Sequence, residues 1–211
     1  MPRWSRGERG REPSPAGLAR ALRRVDGWLG DDEAWALHEA SRRHPSTVSA
    51  ITVVEIGSWQ GRSTIALALG LRARGGGTVH AIGPHAGTAL HRRFGVSDTH
   101  DAFLANLRRA GVEGQVRSVR STSSVACAGF SPRSVHVLFV DGSHRYEDVL
   151  RDIDDWTPVL ADVATVAFHD AVSYPGVRRA LEERVTPPDS PFHNLRVVEE
   201  TLVADFRRPA T

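Results

Sequence analysis

Two short segments hold the side chains with the most chemical capacity: Asp141-Gly142-Ser143-His144 and His169-Asp170. Each follows an apolar, β-branched run, Val135–Val140 and Val163–Phe168, the pattern of a buried strand. If the two strands are neighbours about 5 Å apart, Asp141 and Asp170 converge at one sheet edge. Paired carboxylates in a partly dry site repel each other, and a divalent cation removes that cost. Oxygen ligands favour Mg²⁺, and an imidazole from His169 would move the preference toward Mn²⁺, Fe²⁺, Co²⁺ or Zn²⁺. His144 stands three residues after Asp141. A histidine titrates near neutrality, which suits it to take the proton of a reacting hydroxyl. Read singly, the same aspartates could be helix caps, and His144 could bond a backbone group.

Such residues need a scaffold, and the chain supplies one around residues 53–64. Ile51–Ile56 reads as a short buried strand carrying Glu55 near its end. Gly57 and Gly61 bracket a tight turn. A helix follows over 62–74, with Ile65, Ala66, Leu69 and Ala73 on one face. Strand, glycine turn and helix make the first half of a nucleotide-binding βαβ unit. The glycines admit a ligand close to the backbone, and the helix start offers free N–H groups. A carboxylate at that strand end suits a cationic or hydroxyl-bearing ligand better than a pyrophosphate.

The remaining elements extend this unit. Strands are expected at Thr78–Ile82 and Val116–Val119, with Ser121, Thr122 and Ser123 capping a helix after the latter. Helices are expected over 97–110, stopped by Gly111, over 146–156, with an acidic face, and over 174–185. Leu195–Val198 and Thr201–Phe206 read as a closing hairpin. The fold class is therefore α/β: a doubly wound, Rossmann-like, seven-stranded sheet with an antiparallel closing hairpin and an N-terminal helical extension.

At 211 residues, the chain is long enough for one such domain with its own core. Residues 1–15, rich in arginine and proline, read as a disordered basic tail, and 16–46 as a helical segment broken near Gly27–Gly30. In that segment Leu18, Leu22, Val25 and Leu29 make an apolar stripe, Asp31 or Asp32 caps the second helix, and Trp28 and Trp35 are expected to pack. Residues 47–211 form the main domain. A formal net charge of +2 is no electrostatic match for nucleic acid. All 27 basic residues are arginine, which excludes a lysine Schiff base or lysine general base. No apolar run approaches the ~20 residues of a membrane span, and the start lacks the apolar core of a signal peptide. The single Cys127 excludes an internal disulfide, fits a reducing cytoplasm and reads as a small buried hydrophobe. A homodimer is a common assembly for a domain of this kind.

The motifs also carry a resemblance. The run from Glu55 to Thr64, Glu-Ile-Gly-Ser-Trp-Gln-Gly-Arg-Ser-Thr, resembles the first motif of class I S-adenosylmethionine (SAM) methyltransferases. The runs Phe139–Val149 and Ala167–Asp170 resemble one branch of that class. That branch includes the metal-dependent, macrocin-type sugar O-methyltransferases. Gly27-Trp28-Leu29-x-x-x-Glu33 is similar to the entry segment of the same family. The resemblance implies SAM bound by Glu55, Gly57, Ser58, Gly61, Ser63, Gly83, His85, Ser121, Thr122 and Asp141. It implies a divalent metal, Mg²⁺ or Mn²⁺, at Asp141, His169 and Asp170, with His144 as general base. The acceptor would be a hydroxyl of a small molecule, on a sugar or polyol of secondary metabolism, in the cytoplasm.

Two departures from the family pattern stand out. The family's Ile-Asp-Pro-His puts a ribose-binding carboxylate at the end of the second strand, where this chain has Ile82-Gly83-Pro84-His85. The usual glycine pair before the fifth strand is replaced by Ala161-Asp162-Val163. The first departure makes His85 a candidate substitute for the ribose acceptor. It also leaves a rival expectation, a degenerate methyltransferase fold that keeps a metal or ligand site without methyl transfer. Residues 86–100 have the length of a substrate lid.

Overall fold

The computed structural model describes residues 14–87 and 98–210. Residues 1–13 of the expected basic tail, most of the expected lid, and His91 lie outside the described residues. Among the described residues, the strands form one sheet. They are β1 (Ile51–Ile56), β2 (Gly77–Ile82), β3 (Val116–Val119), β4 (Val135–Val140), β5 (Leu160–Phe168), β6 (Phe192–Val198) and β7 (Thr201–Arg207). Their spatial order is β3-β2-β1-β4-β5-β7-β6. β1 to β5 pair in parallel, while β7 runs antiparallel to both β5 and β6. The winding reverses between β1 and β4. In an open α/β sheet that switch point opens a crevice at the carboxyl ends of the strands.

The helices are α1 (Pro15–Leu22), α2 (Asp31–Arg42), α3 (Arg62–Arg74), α4 (His100–Ala110), α5 (Ser123–Cys127), α6 (Tyr146–Trp156) and α7 (Pro175–Arg184). Period-two alternation along the strands builds two cores. Val53, Phe139, Ala167 and Val203 bury with Leu37 of α2, Ile65 of α3 and Phe103 of α4. Val54, Leu138, Val166 and Ala204 bury on the other face with Val149, Ile153 and Trp156 of α6 and Leu181 of α7. Being covered on both faces is why these strands read as unbroken apolar runs.

Several elements differ from the sequence expectation, each for a physical reason. α3 does not present a single stripe: Ser63 through Leu71 are all buried, because α2 covers the side turned away from the sheet. A Cβ placed on Gly70 would fall 2.3 Å from the His38 carbonyl oxygen, so the two helices meet backbone to backbone. α1 stops at Leu22, and Val25 and Leu29 are buried from the connecting loop instead. Arg62 fixes that loop: Nε donates to the Leu29 carbonyl at 2.7 Å, Nη1 to Leu22 at 2.8 Å and Nη2 to Asp31 at 2.8 Å. The cap of α2 is Gly30, not Asp31 or Asp32, and Glu33 reaches back to its N–H at 2.7 Å. Thr122 is the N-cap of α5 without a side-chain cap bond. Ser123 Oγ instead accepts the buried Trp156 indole N–H at 2.8 Å. Trp28 is 72% exposed, yet its ring lies 5.5 Å from that of Trp59.

Candidate active site

The ladder of backbone hydrogen bonds runs one residue past the parallel strands. Gly57 N–H donates to Ile82 at 2.8 Å, Asp141 to Ile56 at 2.8 Å, His169 to Val140 at 3.0 Å and Gly83 to Val119 at 3.1 Å. Gly83, Gly57, Asp141 and His169 therefore stand side by side along the carboxyl edge. Gly57 has φ +92°, and a Cβ there would lie 1.9 Å from the Asp141 carbonyl oxygen. Only glycine lets the ends of β1 and β4 come so close. Gly61, at φ +91°, turns the chain into α3.

The expected cofactor residues divide into two groups. Glu55 is fully buried, and the Ser63 and Thr64 hydroxyls both donate to its carboxylate. Burial is the largest influence on it and pushes its pKa up to about 7. Glu55 and Ser63 thus brace the turn from below. Ser58 is buried within it. Gly83 and the loop residues Ser121 and Thr122 line the edge beside it. Among the described residues, the nearest atom to a Cβ on Gly83 would be Ser58 N, at an ordinary 3.5 Å, and no side chain of theirs fills that space. His85 is turned inward: it is 5% exposed, with Nδ1 3.0 Å from Thr99 Oγ1 and its ring against His100 and Phe103. Burial pushes its pKa down to about 4, so it is a neutral imidazole.

Beyond the switch point the acid and base groups gather. Asp141, His144 and Asp170 each offer a ligand atom, all within 4.8 Å of one another. Asp170 Oδ2 lies 2.8 Å from His144 Nε2 and 3.3 Å from His169 Nδ1. His169 Nδ1 is also 3.3 Å from Asp141 Oδ1, and Nε2 is 3.5 Å from Glu33 Oε1. Burial opposes a charge on His169, but the Asp141, Asp170 and Glu33 carboxylates outweigh it and push its pKa up to about 12. Burial raises Asp141 above the usual carboxylate range. For Asp170 burial is outweighed by the two imidazoles, which hold it well below that range. The Asp170 carboxylate raises His144. Tyr174 places its ring 4.2 Å from that of His144. Its loop is pinned by the β6–β7 turn: Glu200 accepts from the Ser173 N–H at 2.9 Å and from its hydroxyl at 2.8 Å.

Glu33 belongs to this network and was not among the site residues expected from the sequence. Its signal was present, as a glutamate at the third helical position and in the Gly-Trp-Leu-x-x-x-Glu pattern. Asp152, on the acidic face of α6, stands outside this network; it is 7% exposed, and burial pushes its pKa up to about 6.

A family profile described as a methyltransferase domain matches residues 54–171, more than half of the chain. The chain belongs to this methyltransferase family. An uncharacterized protein of Sinorhizobium fredii is 41% identical to the methyltransferase over 54 residues, which make 26% of this chain and 6% of that protein. The chain thus spans a small fraction of the length of that curated relative. Among solved structures, the O-methyltransferase NovP superposes with TM-score 0.67 at 20% identity, covering 85% of this chain and 81% of its own. TomG, an O-methyltransferase from Streptomyces achromogenes solved with SAM, gives 0.62 at 19%, covering 92% and 88%. At that identity the likeness is one of fold: the methyltransferase has the class I SAM-dependent architecture.

The residues present fit both groups that this fold implies. For SAM, the glycine turn and the space over Gly83, unfilled among the described residues, leave room at the carboxyl edge. For a divalent cation, Asp141 and Asp170 supply oxygen donors from two turns of chain, with the His144 imidazole beside them. Both ring nitrogens of the buried His169 lack a well-aligned hydrogen bond among the described residues, which is what a further ligand in this cluster would complete. No helix among the described residues is long and apolar enough to cross a membrane.

Proposed function

We propose that this methyltransferase is a SAM-dependent, divalent-metal-assisted O-methyltransferase acting on a hydroxyl of a small molecule, with a sugar or polyol diol as the acceptor class. One observation carries the reading. Asp141, His144 and Asp170 bring their ligand atoms within 4.8 Å of one another, at the edge where the glycine turn would receive a cofactor. The O-methyltransferase names of NovP and TomG support it.

SAM, when bound, supplies a methyl group on a sulfonium, which an oxygen nucleophile attacks in line. A cation at Asp141 and Asp170 would supply Lewis acidity toward the hydroxyl and a chelate for its vicinal neighbour. The chain's own residues do the rest. The braced Glu55-Ser63-Thr64 cluster keeps the turn in shape. His144, with Nε2 facing Asp170, has Nδ1 left to accept the proton as the hydroxyl attacks, and Asp170 makes that imidazole more basic. The exposed Tyr174 ring over His144 gives the acceptor an apolar surface to lie against. Orientation of acceptor and methyl group in one crevice accounts for a large part of the rate.

The test is calorimetric titration of SAM into the full chain, with and without Mn²⁺, followed by methyl transfer to vicinal diols. The expected results are micromolar SAM binding and Mn²⁺-dependent transfer. Gly83→Asp is expected to tighten SAM at least tenfold, because a carboxylate fits the open space and accepts both ribose hydroxyls. SAM binding without transfer to any diol would sink the metal-assisted version. Mn²⁺ binding with no SAM bound by either protein would favour the degenerate fold that the glycine at position 83 suggests.

A further inference from the structure

The N-terminal helix α2 lies outside the residues that match the family profile, yet it reaches the site. The register explains how. Phe168 pairs with Leu202 across β5 and β7, so His169 and Thr201 stand opposite each other one step further. Alternation sends the side chains of Asp141, His169 and Thr201 to the face that α2 covers. There Glu33, 2% exposed, accepts from Thr201 Oγ1 at 2.6 Å and from the Gly30 N–H at 2.7 Å. Its Oε1 faces His169 Nε2 at 3.5 Å, while Nδ1 of the same ring is 3.3 Å from both Asp141 and Asp170.

An ionised carboxylate can only accept, so the Nε2–H of His169 is the donor that faces Glu33 across 3.5 Å. We infer that Glu33 is a positioning residue, which fixes the orientation of the His169 ring so that Nδ1 faces and organises the Asp141 and Asp170 carboxylates for a divalent cation. This rests on the metal-assisted reading above. A carboxylate behind a histidine at a metal centre sets ring orientation in this way, and its loss weakens metal binding about 10–100-fold.

Glu33→Gln discriminates this role from a merely structural one. The glutamine oxygen is drawn to the Gly30 N–H, which leaves its NH₂, a donor, facing His169 where the parent chain has an acceptor. Mn²⁺ is titrated by calorimetry into the full chain, and SAM affinity and thermal midpoint are measured on the same samples. The expected result is Mn²⁺ binding weakened at least tenfold, with SAM affinity within about twofold of the parent. Unchanged Mn²⁺ affinity with a lowered midpoint would overturn the inference, since Glu33 would then only tie α2 to β7. If Glu33→Gln does not fold, Thr201→Val replaces it. That isostere removes one of the two donors, and a severalfold weaker Mn²⁺ affinity supports the inference while no change overturns it. A parent chain that binds no Mn²⁺ at all refutes the metal-assisted reading itself, an outcome distinct from a parent and variant that bind it equally.

Discussion

Glu55 shows how a single buried side chain links the shape of the turn after β1 to stability. It is fully buried, and burial moves its pKa from 4.5 to about 7. Between those values the folded chain keeps a proton that the unfolded chain has lost. Stability therefore falls as pH rises through that window, and the loss is complete above the folded pKa. A shift of this size corresponds to about 3 kcal/mol. Denaturant unfolding at pH 5 and pH 8 is expected to show a fall of that order in the parent chain. Glu55→Gln has no charge to lose, so it is expected to flatten the slope and to be the more stable of the two at pH 8. Parallel pH profiles for parent and variant would refute the assignment. At this scale the sequence was informative where a residue ends an apolar run: Asp141, Asp170 and Glu55 all announce themselves so. Glu33 does not, because its role depends on His169 and Thr201, far along the chain, and on which face of the sheet α2 covers.

At the scale of elements, the βαβ unit was legible because each strand is a short apolar run bounded by glycine or a polar turn. What escaped was how the helices are covered. The expected stripe on α3 assumed one wet side, and α2 removes it. The α1–α2 connection is likewise held by a tertiary contact, the Arg62 fork, that no local pattern reveals. Arg62 begins α3 and its side chain is 16% exposed. Its bonds to Leu22, Leu29 and Asp31 are charge-assisted, each worth about 1.5–3 kcal/mol when buried. Arg62→Ala is expected to lose about 3 kcal/mol and to speed amide exchange in α1 and the 23–30 loop before it reaches β1. Arg62→Lys is expected to recover little, since an ammonium cannot span three acceptors spread over the loop. Exchange that accelerates equally in the sheet would show that Arg62 is not a local clamp.

For the whole molecule, the N-terminal helices behave as part of the catalytic fold. α2 presses its His38 carbonyl against Gly70 of α3, and five residues before His38 the same helix carries Glu33 toward the carboxyl edge. A substitution at Gly70 therefore tests packing and site together. Helix propensity alone says that Gly70→Ala stabilises by about 1 kcal/mol. Packing says the opposite, because the new methyl would sit 2.3 Å from the His38 carbonyl oxygen and 2.9 Å from Ser41 Cβ. That backbone oxygen cannot swing away as a side chain would, so α2 must move. Overpacking of this kind costs about 1–3 kcal/mol, which outweighs the propensity gain in the upper part of its range. Gly70→Ala is expected to lower the thermal midpoint by a few degrees. It is also expected to weaken Mn²⁺ binding, because a displaced α2 takes Glu33 away from His169. A raised midpoint would mean that α2 yields without strain. A lowered midpoint with unaltered Mn²⁺ affinity would mean that the helix supports the fold without reaching the chemistry.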